Sequence, residues 1–260
     1  MSGIDYTLGD DGVARVTIAR PERMNALDHA AERALIETWE AIERDARVRC
    51  VVLTGAGERA FSTGADMKAT DDKTGLEYWA AARPGGFGGI ALRETLDVPV
   101  IARVNGHALG GGMEMVLGCD IVVAARTATL GLPEPRVGRL PLDGGIALLP
   151  RRMPHVWAMG MLLTGRRIGA DEALRMGLVN EVVEPAELDA AVARWVADIL
   201  ACAPLSIRAI KQLVRRGAGM AAKDAQSLRT PALMAALAST DQDEGVQAFL
   251  EKRAPQWKGR

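Results

Sequence analysis

The chain has 260 residues, of which 48% are hydrophobic and 25% charged, a composition that excludes disorder and allows a substantial buried core. Lys and Arg number 32 against 33 Asp and Glu, so a formal net charge of −1 supplies no bulk field to draw the chain to nucleic acid or to an anionic membrane. No apolar run approaches the roughly 20 residues of a membrane helix, and the polar start from Met1 to Asp11 has no signal pattern.

In chain order, the first element is an alternating strand. Ala14, Val16 and Ile18 share one face, Arg15 and Thr17 the wet one, and Pro21 ends it. Asp28 can cap a helix whose stripe is Ala31, Leu35, Thr38, Trp39 and Ile42. Short apolar runs follow at Val51 to Leu53, Val100 to Val104 and Ile121 to Ala125. Runs of this length between turn signals predict strands covered on both faces, and they alternate with helical stretches, as in α/β proteins. Between the first two runs, Lys68 to Gly89 is weakly patterned and contains Pro84-Gly85-Gly86, which predicts a mobile loop with a short helix that could cover a site.

From Pro185 the character changes to helix alone, with Leu188, Ala191, Val192, Trp195, Val196 and Ile199 at helical spacing. Further helical stretches begin at Pro204, Pro231 and Thr240. The chain therefore divides into an α/β body, residues 1–203, and a helical tail, residues 204–260. It shows no sequence repeat and no low-complexity linker. Cys50, Cys119 and Cys202 form no CxxC pair and read as buried free thiols of a reducing compartment, which places the protein in the cytoplasm.

Two strand-to-turn segments carry candidate chemistry. One is Ala60-Phe61-Ser62-Thr63-Gly64-Ala65-Asp66-Met67-Lys68. The other is Asn105-Gly106-His107-Ala108-Leu109-Gly110-Gly111-Gly112-Met113-Glu114, with a helix from Met113. Glycines let the backbone turn sharply and approach a ligand, and a helix start favours developing negative charge. Two such turns could each aim one N–H at one oxygen; equally, each could be only a tight connection. Glu114 lies among Met113, Met115, Val116 and Leu117, and Glu134 between Pro133 and Pro135. Carboxylates in apolar settings have raised pKa values and can trade protons near neutral pH. On residue type alone, Glu114 is also compatible with a helix-terminal acid and Glu134 with a solvated loop acid. His29, His107 and His155 have no partners at metal-ligand spacing.

Taken together, these segments resemble the crotonase, or enoyl-CoA hydratase/isomerase, family. Asn25-Ala26-Leu27, Gly64-Ala65-Asp66, Asn105 to Glu114, Cys119-Asp120, Pro133-Glu134, Gly144-Gly145, Leu163-Thr164-Gly165, Ala170 to Asn180 and Glu251-Lys252-Arg253 carry the resemblance over nearly the whole chain. It implies an α/β spiral of ββα units with a C-terminal helical trimerisation region, and a homo-oligomer, trimer or dimer of trimers. It implies a CoA thioester as substrate, with no separate cofactor and no metal. By matching positions, Ala65 and Gly111 supply an oxyanion hole, and Glu114 and Glu134 are the catalytic acid/base pair. Asn25, Ala26, Asp66, Met67, Lys68, Phe249 and Lys252 correspond to the CoA groove, the last two donated by a neighbouring subunit. Retention of both glutamates favours hydration of a trans-2-enoyl-CoA to a 3-hydroxyacyl-CoA. The run Gly138-Arg139-Leu140-Pro141-Leu142-Asp143-Gly144-Gly145 departs from the hydratase pattern at Arg139 and Asp143, and Leu132-Pro133-Glu134 is also similar to carnitinyl-CoA dehydratases. A carnitinyl-type dehydratase, an isomerase, a lyase, and an RNA-binding protein on the same scaffold are the alternatives; the paired glutamates and neutral charge weigh against the last.

Overall fold

A computed structural model describes residues 3–69 and 74–260 of the chain. It opens with β1 (Ile4–Leu8) and β2 (Val13–Ile18), then α1 (His29–Arg44), β3 (Cys50–Gly55), β4 (Ala60–Ser62) and the short α2 (Gly75–Ala80). Next come β5 (Val100–Val104), β6 (His107–Leu109), α3 (Gly111–Gly118), β7 (Ile121–Ala125), β8 (Thr129–Gly131), α4 (Gly145–Arg152) and α5 (His155–Thr164). β9 (Arg167–Gly169), α6 (Ala170–Arg175), β10 (Glu181–Val183) and α7 (Leu188–Ala201) complete the body, and α8 (Pro204–Gly217), α9 (Ala222–Gln226), α10 (Pro231–Leu237) and α11 (Asp241–Glu251) form the tail.

The strands form two sheets, a six-stranded one in the order β1-β2-β3-β5-β7-β10 and a four-stranded one in the order β4-β6-β8-β9. β3, β5 and β7 each hand the chain from the large sheet to its partner strand in the small one, and a helix follows β6 and β8. This is the spiral of ββα units. The repeat is structural only, because different residues satisfy the same pattern of burial at each turn. The three-residue strands of the small sheet are too short for a period of two to register.

Both faces of the large sheet are covered, and side chains sort between them by strand alternation. Val13, Cys50, Val52, Ile101 and Val123 pack against Leu188, Ala191 and Val192 of α7. Val16, Ile18, Val51, Leu53, Val100, Ala102 and Val104 join the main core with Leu35 and Trp39 of α1. Of the anticipated α1 stripe, Ala31, Leu35, Trp39 and Ile42 are buried and Thr38 is half-buried, its hydroxyl donating to the Ala34 carbonyl at 2.8 Å, and Asp28 caps the helix by accepting from the Ala31 amide at 2.9 Å.

Cys50 and Cys119 are buried, but Cys202 is exposed, contrary to the reading of all three as buried, because it follows the last turn of α7 at the rim of the body. Residues 70–73 of the anticipated covering loop lie outside the described residues; α2 and the turns around Gly86 are its described part. Among the described residues no single helix is long and apolar enough to cross a membrane.

The tail is held to the body by polar contacts. Lys211 of α8 donates to the Val98 carbonyl at 2.7 Å and to Asp120 at 2.6 Å, and Arg208 donates to the Val48 carbonyl at 2.9 Å. Ile210 and Val214 of the same helix point outward, whereas Leu205, Ile207 and Leu213 are half-buried.

Trp39 is fully buried, and its indole N–H donates to the Gly88 carbonyl at 2.9 Å. Trp39→Phe keeps an aromatic ring but leaves that carbonyl unpaired, and it is expected to destabilise the fold by about 1–3 kcal/mol. Urea unfolding reads this as a lower midpoint with an unchanged slope; an unchanged midpoint would contradict it.

Candidate active site

Two loop ends meet at the centre of the site. The first is the turn after β4. Gly64 has φ of 88°, and a Cβ there would stand 2.7 Å from the Gly111 nitrogen. Only glycine fits, in conformation and in space. The turn is secured from the other side, where the Leu27 amide donates to the Gly64 carbonyl and the Asp66 amide to the Leu27 carbonyl, both at 2.8 Å. The Ala65 amide between them has no hydrogen-bond partner among the described residues.

The second is the start of α3. Gly110, at φ of 57°, turns the chain out of β6, and Gly111 is the first helical residue, so its N–H has no intrahelical acceptor. A Cβ on Gly111 would meet the Phe87 ring at 2.6 Å. Phe87 thus packs on the bare Cα and walls this amide from solvent. Two unpaired amides, Ala65 and Gly111, stand on adjoining loop ends.

Glu114 lies one turn into α3 and is 3% exposed. Its Oε1 accepts from the Gly145 amide at 2.9 Å. Burial drives its pKa up to about 8; the Gly145 amide opposes the rise, and the charges of Asp143 and Glu134 add to it. Glu134 begins a 3-10 turn, Glu134–Val137, reached from β8 through Pro133. Its Oε1 lies beside Gly110, and burial raises its pKa as well. Its Oε2 is buried without a hydrogen-bond partner among the described residues. The structure therefore brings both glutamates together, in a dry setting, beside the two unpaired amides.

The groove residues divide. Asn25 is buried, and its side chain braces the turn: its amide donates to the Ala56 and Ala60 carbonyls at 3.0 and 2.7 Å, and its oxygen accepts from the Arg20 amide at 3.0 Å. Asp66 pairs with Arg20 at 3.4 Å and accepts from the Lys68 amide at 3.1 Å. Both donors and the oxygen of Asn25 are engaged in this way, and Asp66 is held by Arg20 and the Lys68 amide. Ala26 is buried and offers only backbone, and its carbonyl accepts from Arg20. Met67 and Lys68 are exposed, and Met67 lies 3.8 Å from the guanidinium of Arg139. Phe249 is 82% exposed on α11, and Lys252 follows that helix in a left-handed cap. Hydrogen bonds of α11 run to the C-terminal segment, from Lys258 and Gly259 to Asp241, and among the described residues none reaches Glu114 or Glu134. His107 pairs with Thr129 at 2.7 Å, a packing role between β6 and β8.

Sequence reading missed Phe87 and the Gly145 amide. The glycines Gly85-Gly86 and Gly88-Gly89 around Phe87 were the available signal, since such a cluster marks close backbone approach.

The α/β spiral sets the buried Glu114 and the half-buried Glu134 beside two unpaired amides, and comparison with known proteins gives the family. Residues 9–260 match the family model described as enoyl-CoA hydratase/isomerase. The chain is 42% identical over 248 residues to (E)-benzylidenesuccinyl-CoA hydratase of Thauera aromatica, covering 95% of this chain and 96% of the relative. It is 40% identical over 252 residues to carnitinyl-CoA dehydratase of Escherichia coli K12, covering 95% of each. The crystal structure of enoyl-CoA hydratase from Bacillus anthracis superposes with a TM-score of 0.92 at 34% identity, over 99% of this chain and 100% of that one. The chain belongs to the enoyl-CoA hydratase/isomerase family. It is an enzyme of the hydro-lyase kind, and its named relatives add water to CoA thioesters or remove it.

The Glu114 shift has a consequence for stability. The folded chain keeps this proton to about pH 8, whereas the unfolded chain releases it near the ordinary value of 4.5. The folded state holds the extra proton, so the contribution of Glu114 to stability falls as pH rises between those values. Glu114→Gln has no such dependence. Relative to wild type it is expected to gain roughly 1–3 kcal/mol between pH 5 and pH 8. Denaturant midpoints of both proteins at the two pH values check this, and a gap independent of pH would contradict it.

Proposed function

We propose that the enzyme catalyses reversible syn addition of water across the double bond of a trans-2-enoyl-CoA, giving a 3-hydroxyacyl-CoA. The observation that carries this reading is the juxtaposition of the buried Glu114 and the half-buried Glu134, whose Oε2 is itself buried, with the free amides of Ala65 and Gly111. The two amides hold the thioester oxygen. When the water oxygen attacks C3, the electron pair of the double bond moves toward the thioester, and the resulting enolate is stabilised at that oxygen. Removing one such donor costs about 3 kcal/mol of barrier.

The glutamates hold one water between them. With Gly145 engaging Oε1 of Glu114, the ionised form of this carboxyl takes a proton from the water at its other oxygen. Glu134, with its unpartnered Oε2, delivers a proton to C2. In the reverse direction the same groups remove C2–H and the C3 hydroxyl.

A second reading concerns the acyl group. The carnitinyl-CoA and benzylidenesuccinyl-CoA relatives, and the departures at Arg139 and Asp143, favour an acyl chain with a polar substituent. A panel of plain and polar-substituted acyl-CoAs separates the two. The CoA moiety would run past Met67 and Lys68 and meet Phe249 and Lys252 of a neighbouring subunit. Exposed Met234, Leu237, Val246, Phe249 and Leu250 on α10 and α11 support such a neighbour, because a monomer would leave them in water. Closed symmetry is the usual way to cover such a face, and the family adds the expectation of a trimer or dimer of trimers. Buried free thiols at Cys50 and Cys119 accord with a cytoplasmic location.

Glu114→Gln and Glu134→Gln are each expected to lower crotonyl-CoA hydration by at least about a hundredfold, with CoA-ester binding nearly intact. Steady-state kinetics and ligand titration decide it, and near-wild-type turnover in either variant rejects the two-glutamate mechanism. Sedimentation of the intact protein is expected to give a trimer or hexamer; a clean species at the 27.7 kDa chain mass would reject the shared CoA site.

A further inference from the structure

We infer that Tyr78, Asp143, Arg83 and Glu32 form a clasp that fastens α2 and the segment after it onto the loop holding Glu114, so that Tyr78 and Asp143 act as positioning residues for the reaction. The inference rests on the proposed role of Glu114.

The contacts close into a ring. The Tyr78 hydroxyl, on α2, donates to Oδ2 of Asp143. The Arg83 guanidinium lies 4.9 Å from the centre of the Tyr78 ring and forms an ion pair with Oδ1 of Asp143 at 3.2 Å. Its other end pairs with Glu32 of α1, and the same Glu32 oxygen accepts from the Gly88 amide at 3.3 Å. These are not solvated surface pairs, which contribute little. The side chains of Arg83, Asp143 and Glu32 are 25%, 11% and 16% exposed.

Asp143 is where three walls of the site join. Its carbonyl accepts from the Phe87 amide at 3.2 Å, and Phe87 is the ring that packs on Gly111. A Cβ on Gly86 would stand 2.4 Å from that carbonyl, so the two loops are in direct backbone contact. Two residues on, the Gly145 amide holds Glu114. An acidic side chain beside a buried catalytic carboxylate is electrostatically unfavourable, and its charge does help to raise the Glu114 pKa. Tyr78 and Arg83 compensate that charge, and both come from the covering segment. Release of the segment would therefore loosen Asp143, Gly145 and the Glu114 carboxylate in turn.

The test is a double-mutant cycle on the full-length protein, with crotonyl-CoA as substrate and Glu114→Gln as control. Tyr78→Phe removes one oxygen and keeps the ring under Arg83; it carries the test if Asp143→Asn does not fold. Each single variant is expected to lower kcat about tenfold, with KM changed far less, because misplaced catalytic groups cost rate more than binding. The double variant should be no worse than the poorer single one. Wild-type kcat in Tyr78→Phe, or losses that multiply in the double variant, would overturn the clasp. Loss of turnover in Glu114→Gln alongside full turnover in Tyr78→Phe removes the clasp and leaves the proposed function standing. Full turnover in Glu114→Gln removes both.

Discussion

Desolvation of the Glu114 carboxyl is the constraint on which the rest of the site depends. A carboxylate taken out of water must find donors or keep its proton. Here the surroundings give it the backbone amides of Gly145 and Asp143 as donors, set against the charges of Asp143 and Glu134. The balance leaves the proton mobile near neutral pH, as acid/base work requires. Everything that keeps water out serves that balance, including Phe87 against Gly111 and the burial of α3. Bringing the loops this close needs backbone without side chains, which is why glycine stands at positions 64 and 111.

The polar residues of the motifs divide their labour in a way that residue type does not reveal. Asn25 and Asp66 carry hydrogen-bonding groups suited to a ligand, yet both are consumed in bracing the turns that present Leu27 and Ala65. The groups left free are main-chain amides and the glutamate oxygen Oε2. An oxyanion is better served by such amides than by flexible side chains, because they are already oriented before reaction and need no reorganisation. The side chains that look functional hold the backbone that would act.

The tail follows a similar logic. α8 is tethered by Lys211, Arg208 and Arg215 to carbonyls of the body, and its Ile210 and Val214 face away. Long basic side chains reach across a boundary that apolar ones could have sealed. That choice leaves the apolar residues of α8, α10 and α11 available for a surface beyond one chain.

Sequence alone determined the elements whose pattern is local. The strand at Ala14 to Ile18, the α1 stripe capped by Asp28, the buried runs of the large sheet and the helical tail from Pro204 all follow from spacing of apolar residues and from capping chemistry. The short strands of the second sheet were not legible, since three residues carry no period. The order Gly64, Gly111, Glu114 and Glu134 could be read as a motif, but its convergence could not. Glu134 is 20 residues from Glu114, and only the parallel pairing of β6 and β8 in the small sheet brings them together. Burial decided that both would be poised acids, and burial is a property of what packs around a residue. The structural duty of Asn25, the ring of Phe87 on Gly111, and the pairing of Tyr78 with Asp143 across 65 residues were likewise settled by tertiary structure. Each depends on distances between segments that no local spacing encodes.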